Sequence, residues 1–370
     1  MSQNLNVVIL EYIWLDSKNN FRSKTKITTC QEPTNPDNLP IWNYDGSSTG
    51  QASGTDSEVF LKPVAVFKDP FRMNNDYKNQ AYLVWCDMMD KNKNYLKNSK
   101  RIFAQKIFEK FECEEPWFGL EQEYFIIDPK TNLPLGFSPN SNPESQGKYY
   151  CGVGADKALG RNIPEKHMIH CLYAGIKICG INAEVAPAQW EYQIGPCVGI
   201  EASDHLWVSR YILDRLAESY GYNISYHPKH LGTDADWNGS GCHTNFSTKS
   251  MREENGIEHI YTAIKRLSVI HSLHMNYYGE HNEMRMSGKH ETSSFNKFTF
   301  GRANRGASVR IPNVVLDESR GYFEDRRPAS NCDPYLVTGL IMQTCMNSNL
   351  DISDNTTNEC ISGLEIGYII

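Results

Sequence analysis

The chain of 370 residues carries 37 Lys and Arg against 44 Asp and Glu, a net charge of −7, so no global basic field draws it to nucleic acid or an anionic membrane. Its length suits about two domains with a substantial core. No run approaches the ~20 apolar residues that span a bilayer, the polar start Met1–Asn6 lacks a secretory pattern, and the cysteines include no C-x-x-C pair; these features predict a cytoplasmic protein with reduced thiols and with neither nucleic-acid nor membrane partners.

Short runs rich in branched and aromatic residues, Val7 to Trp14 and Ala81 to Asp87, with Pro- and Gly-containing turns between them, predict a small sheet domain. Within it, Trp42-Asn43-Tyr44-Asp45-Gly46-Ser47-Ser48-Thr49-Gly50 contains an Asp-Gly turn signal, which by itself makes Asp45 a turn residue. The polar run Lys91–Asn94 breaks the apolar pattern, and Ser99 is placed to cap a helix carrying Phe103, Ile107 and Phe111 at four-residue spacing. A domain boundary is therefore set near residue 95. Beyond it the pattern predicts a strand near 118–127, a helix begun at Pro164 and closed by Gly180, and strands around 182–194. Helices follow near 203–219 and from Ser250, where Ser250-Met251-Arg252-Glu253 reads as a capping box leading into Ile257, Ile260, Ile264 and Leu267. The expected organisation is α+β: a first domain over 1–95, a larger one over 96–350, and a variable tail over 351–370 that is acidic and free of Lys and Arg.

Glu121 and Glu123 sit in the predicted strand Trp117–Ile127, where i and i+2 side chains share a face. Two anions side by side next to aromatic and branched residues repel one another and resist desolvation, unless a cation neutralises them. Alone, such a pair also suits a solvated strand edge. Glu184 and Glu191 flank Val185–Trp190, and Pro187 interrupts any continuous central strand, so the two acids fall on strands joined by a turn and can converge. His243 lies in Trp237-Asn238-Gly239-Ser240-Gly241-Cys242-His243, where glycines let the backbone approach a ligand, although a single His is more often a hydrogen-bonded core residue than a ligand. After Lys297 every basic side chain is arginine: Arg302, Arg305, Arg310, Arg320, Arg326 and Arg327. Arginine's planar fork grips carboxylate and phosphate in bidentate fashion, and Glu324-Asp325-Arg326-Arg327 interleaves acids with arginines, as a nucleotide grip or as structural ion pairs. Ligation by Glu121, Glu123, Glu184, Glu191, Glu324 and one imidazole favours Mg²⁺ or Mn²⁺ over Zn²⁺. No Walker loop is present, and Gly152-Val153-Gly154 is followed by Lys157 where a dinucleotide fingerprint needs Gly or Ala. Lys289–Ser294 reads as a polar loop or lid.

Taken in order, WNYDGSSTG at 42–50, WFGLEQEY at 117–124, YYCGVGAD at 149–156, NAEVAPAQWEYQIGP at 182–196, NGSGCHTNFS at 238–247, ANRGASVRIP at 303–312 and GYFEDRRPAS at 321–330 resemble glutamine synthetases of the eukaryotic type, over nearly the whole chain from about Leu10 to Met346. The resemblance implies a small β-grasp N-terminal domain and a catalytic domain with a curved antiparallel sheet flanked by helices. It also implies active sites shared between neighbouring subunits of a homo-oligomer of two stacked pentameric rings. The implied substrates are glutamate, ammonium and ATP, with two or more Mg²⁺ or Mn²⁺ ions per site, and the implied reaction runs through a γ-glutamyl phosphate. Carried over residue by residue, Glu123, Glu184 and Glu191 hold one metal, and Glu121, His243 and Glu324 another. Asn238, Gly239 and Arg285 bind glutamate, while Arg305, Arg310 and Arg326 meet phosphate charge. Trp117, Glu191, Tyr192, Gln193, Asn245, Phe246, Ser247, Tyr322, Phe323 and Glu324 border the nucleotide. Asp45 deprotonates ammonium and Glu291 closes over the intermediate. Against the family pattern, no N-terminal helical extension is expected ahead of the first strand, and segments 226–238 and 274–288 are idiosyncratic. A relative using another amine should alter the ammonium site, and a guanidino kinase should lack the glutamate motifs; Asp45 and Glu291 argue against both.

Overall fold

The computed structural model describes residues 7–74, 76–77, 79–138, 143 and 147–347; the tail 351–370 lies outside the described residues. The chain divides into two compact units, one formed by the described residues up to Ile102 with Ile169–Ile176, the other by Phe103–Met168 and the described residues from Lys177 onward.

In the first unit, β1 (Val7–Leu15), β2 (Phe21–Thr29), β3 (Trp42–Asp45), β4 (Glu58–Lys68) and β5 (Ala81–Met89) form one sheet in the order β2-β1-β5-β4-β3. The central β1–β5 pair is parallel and the other pairs are antiparallel, a mixed order compatible with a β-grasp. Period-two alternation puts Val8, Leu10, Tyr12 and Trp14 of β1 into one core with Val59, Leu61, Val84, Cys86 and Met88. Edge strand β2 presents Lys24 and Lys26, cations that discourage pairing with another chain.

In chain order, helix α1 (Arg101–Lys110) precedes the second sheet and helix α2 (Asn162–Ala174) falls between its strands. Its strands are β6 (Trp117–Asp128), β7 (Leu133–Pro134), β8 (Ile178–Ala183), β9 (Gln189–Val198), β10 (Asn223–Ser225), β11 (Cys242–Ser247), β12 (Phe300–Arg302), β13 (Val309–Ile311) and β14 (Phe323–Asp325). The main path runs β12-β13-β14-β11-β6-β9-β8, with β10 and β7 also on β6. All pairs are antiparallel except β12–β13. One face is apolar: Phe118, Leu120 and Tyr124 of β6 are buried, and the Phe118, Phe246 and Phe323 rings pack one against the next in tilted and edge-to-face contacts. Helix α3 (Glu201–Tyr220), ended by Gly221 at φ 76°, supplies Ser209 to the Tyr192 hydroxyl at 2.9 Å and Arg210 to Gln122 Oε1 at 2.7 Å. The remaining helices are α4 (Lys249–Arg252), α5 (Ile257–Val269), α6 (His271–Met275), α7 (Asn282–Arg285), α8 (Asn313–Glu318) and α9 (Pro334–Met346). The expected α+β class holds.

Local expectations were displaced in instructive ways. The Ser99 hydroxyl bonds Met88 N and O at 3.0 and 3.2 Å instead of capping α1, because a buried strand end offers it two backbone partners. Helix α2 ends at Ala174 before Gly175 at φ 86°, whereas Gly180 lies inside β8 at a register shift. Thr248, and not Ser250, caps α4 through Met251 N, and Ser250 turns its hydroxyl to Glu114 at 2.8 Å. The periodic run then restarts as a separate helix at Ile257.

Beneath β14, Asp325 and Arg327 are both fully buried, paired at 2.7 and 2.8 Å, with Tyr278 donating to Asp325 at 3.1 Å. The ring nitrogens of His271 and His274 each lie 3.2 Å from the Arg327 guanidinium. Burial, reinforced by Arg327, pushes His271 down to about 4 and keeps it a neutral acceptor. Arg327→Leu therefore leaves Asp325 as an uncompensated buried charge, and urea unfolding should show a loss of about 3–5 kcal/mol. A loss within experimental error would mean that Asp325 finds another counter-charge.

Candidate active site

The opposite face of the second sheet carries the candidate metal ligands of β6, β9, β11 and β14, and the register explains why. His243 on β11 stands opposite Glu121 on β6, Glu123 on β6 opposite Glu191 on β9, and Glu324 on β14 opposite both Asn245 on β11 and Arg310 on β13. Glu184 follows β8 directly, in the turn that leads through Pro187 into β9, so the acids flanking Pro187 do converge. One donor atom each from Glu121, His243 and Glu324 lies within 4.8 Å of the others, and the same is true of Glu123, Glu191 and His243. The second grouping differs from the set implied by the resemblance: it contains His243 in place of Glu184, which lines the same cleft.

Each carboxylate is oriented by a donor. Asn245 Nδ2 reaches Glu121 at 2.8 Å, Gly241 N reaches Glu123 at 2.9 Å, Asn182 Nδ2 reaches Glu184 at 2.9 Å, and Gln193 donates to Glu191. These neutral donors do not cancel the charge. Burial raises Glu123 and Glu184 to about 8 and Glu191 to about 9; the neighbouring carboxylates Glu184, Glu191 and Glu123, respectively, add to the rise. His243 is held well below its ordinary value by burial and by Arg326, so it is a neutral imidazole ready to ligate. Glu324, almost fully buried, forms ion pairs with Arg310 at 2.5 Å and Arg326 at 2.7 Å. An oxygen-rich donor set with a neutral imidazole and unneutralised buried acids fits a hard divalent cation.

The cleft is completed by Tyr150, Asn238, Gly239, Arg285, His290, Glu291, Thr292 and Arg305. Asn238 Oδ1 is buried without a partner among the described residues, which leaves it an acceptor for a ligand. A Cβ at Gly239 would collide with the Pro228 carbonyl and the Arg285 stem, so only glycine fits. His290 and Glu291 both have left-handed backbone, φ 53° and 60°, and Glu291 approaches Arg305 at 3.6 Å. Residues of YYCGVGAD and of the Lys289–Ser294 loop thus line the cleft, although Tyr150, His290 and Thr292 were not singled out individually; their motifs were the only signal.

A second cavity adjoins, since Glu121 lines both. Trp117, Gln193, Asn245, Phe246, Ser247 and Tyr322 border it together with Arg252, whose guanidinium lies 4.1 Å from the Trp117 ring centroid. Arg252 was missed because it was counted as part of a capping box. Three residues expected beside a nucleotide turn their rings toward the core. Tyr192 and Phe323 are fully buried and point to the core face, and the Phe246 ring packs between Phe118 and Phe323. Neighbours of a site residue on a strand face the other way. Asp45 belongs to the first unit, outside the residues lining the cleft; its carboxylate accepts from the Ser47 and Ser48 hydroxyls at 2.7 and 2.5 Å and is lowered to about 2 chiefly by Ser47.

Fold and cleft together define an α+β enzyme whose sheet carries a candidate hard-cation site for anionic substrates. Residues 98–274 match the family model described as glutamine synthetase, catalytic domain. The chain is 52% identical over 337 residues to a glutamine synthetase of Tuber borchii, covering 91% of this chain and 92% of that one. It is 52% identical over 361 residues to one of Yarrowia lipolytica, covering 98% and 96%. A cytosolic isozyme of rice is 51% identical over 347 residues, 93% of this chain and 95% of that one. The chain belongs to the glutamine synthetase family. Among solved structures, Plasmodium falciparum glutamine synthetase aligns with a TM-score of 0.72 at 17% identity, covering 93% of this chain and 72% of that one, a likeness of fold.

Raised carboxyl values carry a stability consequence whose sign is fixed. Unfolded glutamates titrate at the ordinary 4.5, while Glu123, Glu184 and Glu191 hold their protons to about 8 or 9 when folded. Their contribution is complete below 4.5 and is lost as pH rises through the folded values. The melting temperature without metal should therefore fall from pH 5 to pH 8, and Mn²⁺ should raise it more at pH 8 than at pH 5. Glu191→Gln should flatten both trends in a calorimetric scan; an unchanged slope would contradict the shared-charge account.

Proposed function

We propose that this chain converts glutamate and ammonia to glutamine, driven by ATP through a γ-glutamyl phosphate, with release of ADP and phosphate. The observation that carries this reading is the joining of two cavities through Glu121: one faced with carboxylates, His243 and arginines, the other apolar and bordered by Trp117 and Arg252. A nucleoside fits the second and its phosphates extend into the first. Relatives at 51–52% identity named glutamine synthetase support it.

Residues 1–95 serve as the β-grasp domain and 96–350 as the catalytic domain. Glu123, Glu184 and Glu191 hold one cation and Glu121, His243 and Glu324 another, with His243 able to serve either group by proximity. Bound Mg²⁺ or Mn²⁺ supplies the positive charge that lets one anion attack another. Asn238, Gly239 and Arg285 bind glutamate and aim its side-chain carboxylate. Arg305, Arg310 and Arg326 stabilise charge on the transferring phosphoryl group. Ammonium is attracted and deprotonated by Asp45 of a neighbouring subunit in a homo-oligomer of two stacked pentameric rings, because only neutral ammonia is nucleophilic. Glu291, on its strained loop, closes the cleft against water that would hydrolyse the acyl phosphate. The compartment proposed is the cytosol, as for the rice isozyme, although a maize relative is chloroplastic.

Phosphate release should require ATP, glutamate, ammonium and Mg²⁺ or Mn²⁺ together; equal turnover with methylamine would replace ammonia by another amine. Asp45→Asn keeps the turn but removes the charge, so glutamine formation should fall about 100-fold while Mn²⁺ and ATP still raise the melting temperature as in the parent. Unchanged turnover would take Asp45 out of the reaction.

A further inference from the structure

Arg285 is buried, lies in the cleft and is held almost entirely by backbone carbonyls. Its Nη2 donates to the carbonyls of Arg326, Arg327 and Pro328 at 3.1, 2.7 and 3.2 Å. Its Nε donates to Asn282 Oδ1 at 3.0 Å. Among the described residues Nη1 makes no such bond, and it lies beside Gly241, where an added Cβ would be 3.1 Å from it. A guanidinium has five donors in a rigid fork. With one edge fixed by carbonyls, the Nη1 edge is the one left for a ligand.

Asn282 is fully buried and sits three residues before Arg285 on the same side of α7, a helix whose Glu283 is exposed. It acts in both directions. While Oδ1 accepts from Arg285 Nε, Nδ2 donates to the Arg327 carbonyl at 2.8 Å, the carbonyl that also receives Arg285 Nη2 at 2.7 Å. A second, longer bond at 3.4 Å ties Nδ2 to the Tyr278 carbonyl. The amide therefore closes a ring of hydrogen bonds: Arg285 to Asn282, Asn282 to the Arg327 carbonyl, and that carbonyl back to Arg285. No other side chain among the described residues hydrogen-bonds the Arg285 guanidinium.

Without Asn282 the guanidinium would keep Nη2 as a pivot and could swing Nη1 away from the cleft. We propose that Asn282 is a positioning residue that fixes the orientation of Arg285 and thereby sets affinity for the carboxylate substrate, without touching that substrate itself. The proposal rests on the assignment of Arg285 to glutamate binding.

The test is a double-mutant cycle on the full-length protein, using Asn282→Leu, Arg285→Lys and the pair. Asn282→Leu keeps the volume but leaves Arg285 Nε and the Arg327 carbonyl unmatched. Loss of a hydrogen bond to a charged group corresponds to about a 30-fold rise in glutamate KM, with the KM for ATP within about 2-fold of the parent. Lysine has no Nε–H fork to orient, so Asn282→Leu should add less than about 2-fold in the Arg285→Lys background. If the two effects multiply in full, or if the ATP KM rises with that of glutamate, Asn282 is only structural and the proposal is wrong. The glutamate-induced rise in melting temperature at saturating Mn²⁺ and ADP, read on the same proteins, does not depend on turnover. A parent protein that shows this rise but no ammonium-dependent phosphate release sinks the ligase reading and leaves the Asn282 cycle to be read by binding. A parent with no response to glutamate overturns both.

Discussion

Repulsion among Glu121, Glu123 and Glu191 on one face of an antiparallel sheet, with Glu184 in the turn beside them, is the constraint to which the rest of the second unit answers. Antiparallel register brings Glu123 opposite Glu191, at a spacing where like charges destabilise a strand pair. The donors around them, Asn182, Gln193, Asn245 and Gly241 N, aim the carboxylates without supplying positive charge. Tolerance comes from the other face. Phe118, Tyr124, Tyr192, Phe246 and Phe323 are each buried there, and an apolar or aromatic side chain contributes roughly 1.5–3 kcal/mol on burial. Period two thus separates the layer that stabilises the sheet from the layer that strains it.

Alternation sorts the arginines too. Arg326 and Arg327 are adjacent in sequence, yet Arg326 reaches Glu324 in the cleft while Arg327 reaches Asp325 beneath the sheet. One guanidinium faces the site where charge is handled, and the next fixes the strand that carries it. Arg210 plays a comparable structural part from α3, bonding Gln122 Oε1 and the carbonyls of Ser330 and Cys332. The interleaved acids and arginines around residue 325 were legible as either a nucleotide grip or structural ion pairs. The fold separates them, with the Arg326–Glu324 pair on the cleft face and the Arg327–Asp325 pair buried on the other.

Much of the site was readable because strand periodicity is local. Glu121 and Glu123 were placed together by an i, i+2 rule that needs no tertiary information, and Pro187 marked the turn that lets Glu184 meet Glu191. The same rule, applied more strictly, would have placed the Tyr192 and Phe323 side chains on the core face, since a neighbour of Glu191 or Glu324 must face the core. Helix limits were less legible. Ser99 and Ser250 were valid caps by local chemistry, but a strand end and Glu114 compete for their hydroxyls, and those partners are distant in sequence. Asn282 was invisible for the same reason: its role depends on the Arg327 carbonyl, which lies 45 residues away along the chain.

Glu324 shows how the two kinds of charge in the cleft depend on each other. Arg310 and Arg326 engage its two oxygens at 2.5 and 2.7 Å, while His243 stands 3.6 Å from it and belongs to the same group of potential ligands. One carboxylate cannot give its full charge to two guanidinium ions and to a cation at once. Whatever positive charge is added at Glu324 weakens its hold on Arg310 and Arg326, and weaker pairing leaves those arginines better able to attract an anion. The converse also holds, because an anion drawing the arginines away returns the carboxylate to the cation. Cation and anion affinities at such a site are linked with the same sign, by thermodynamic reciprocity. The coupling needs no moving domain; it follows from placing one buried carboxylate between an imidazole and two arginines on adjacent strands.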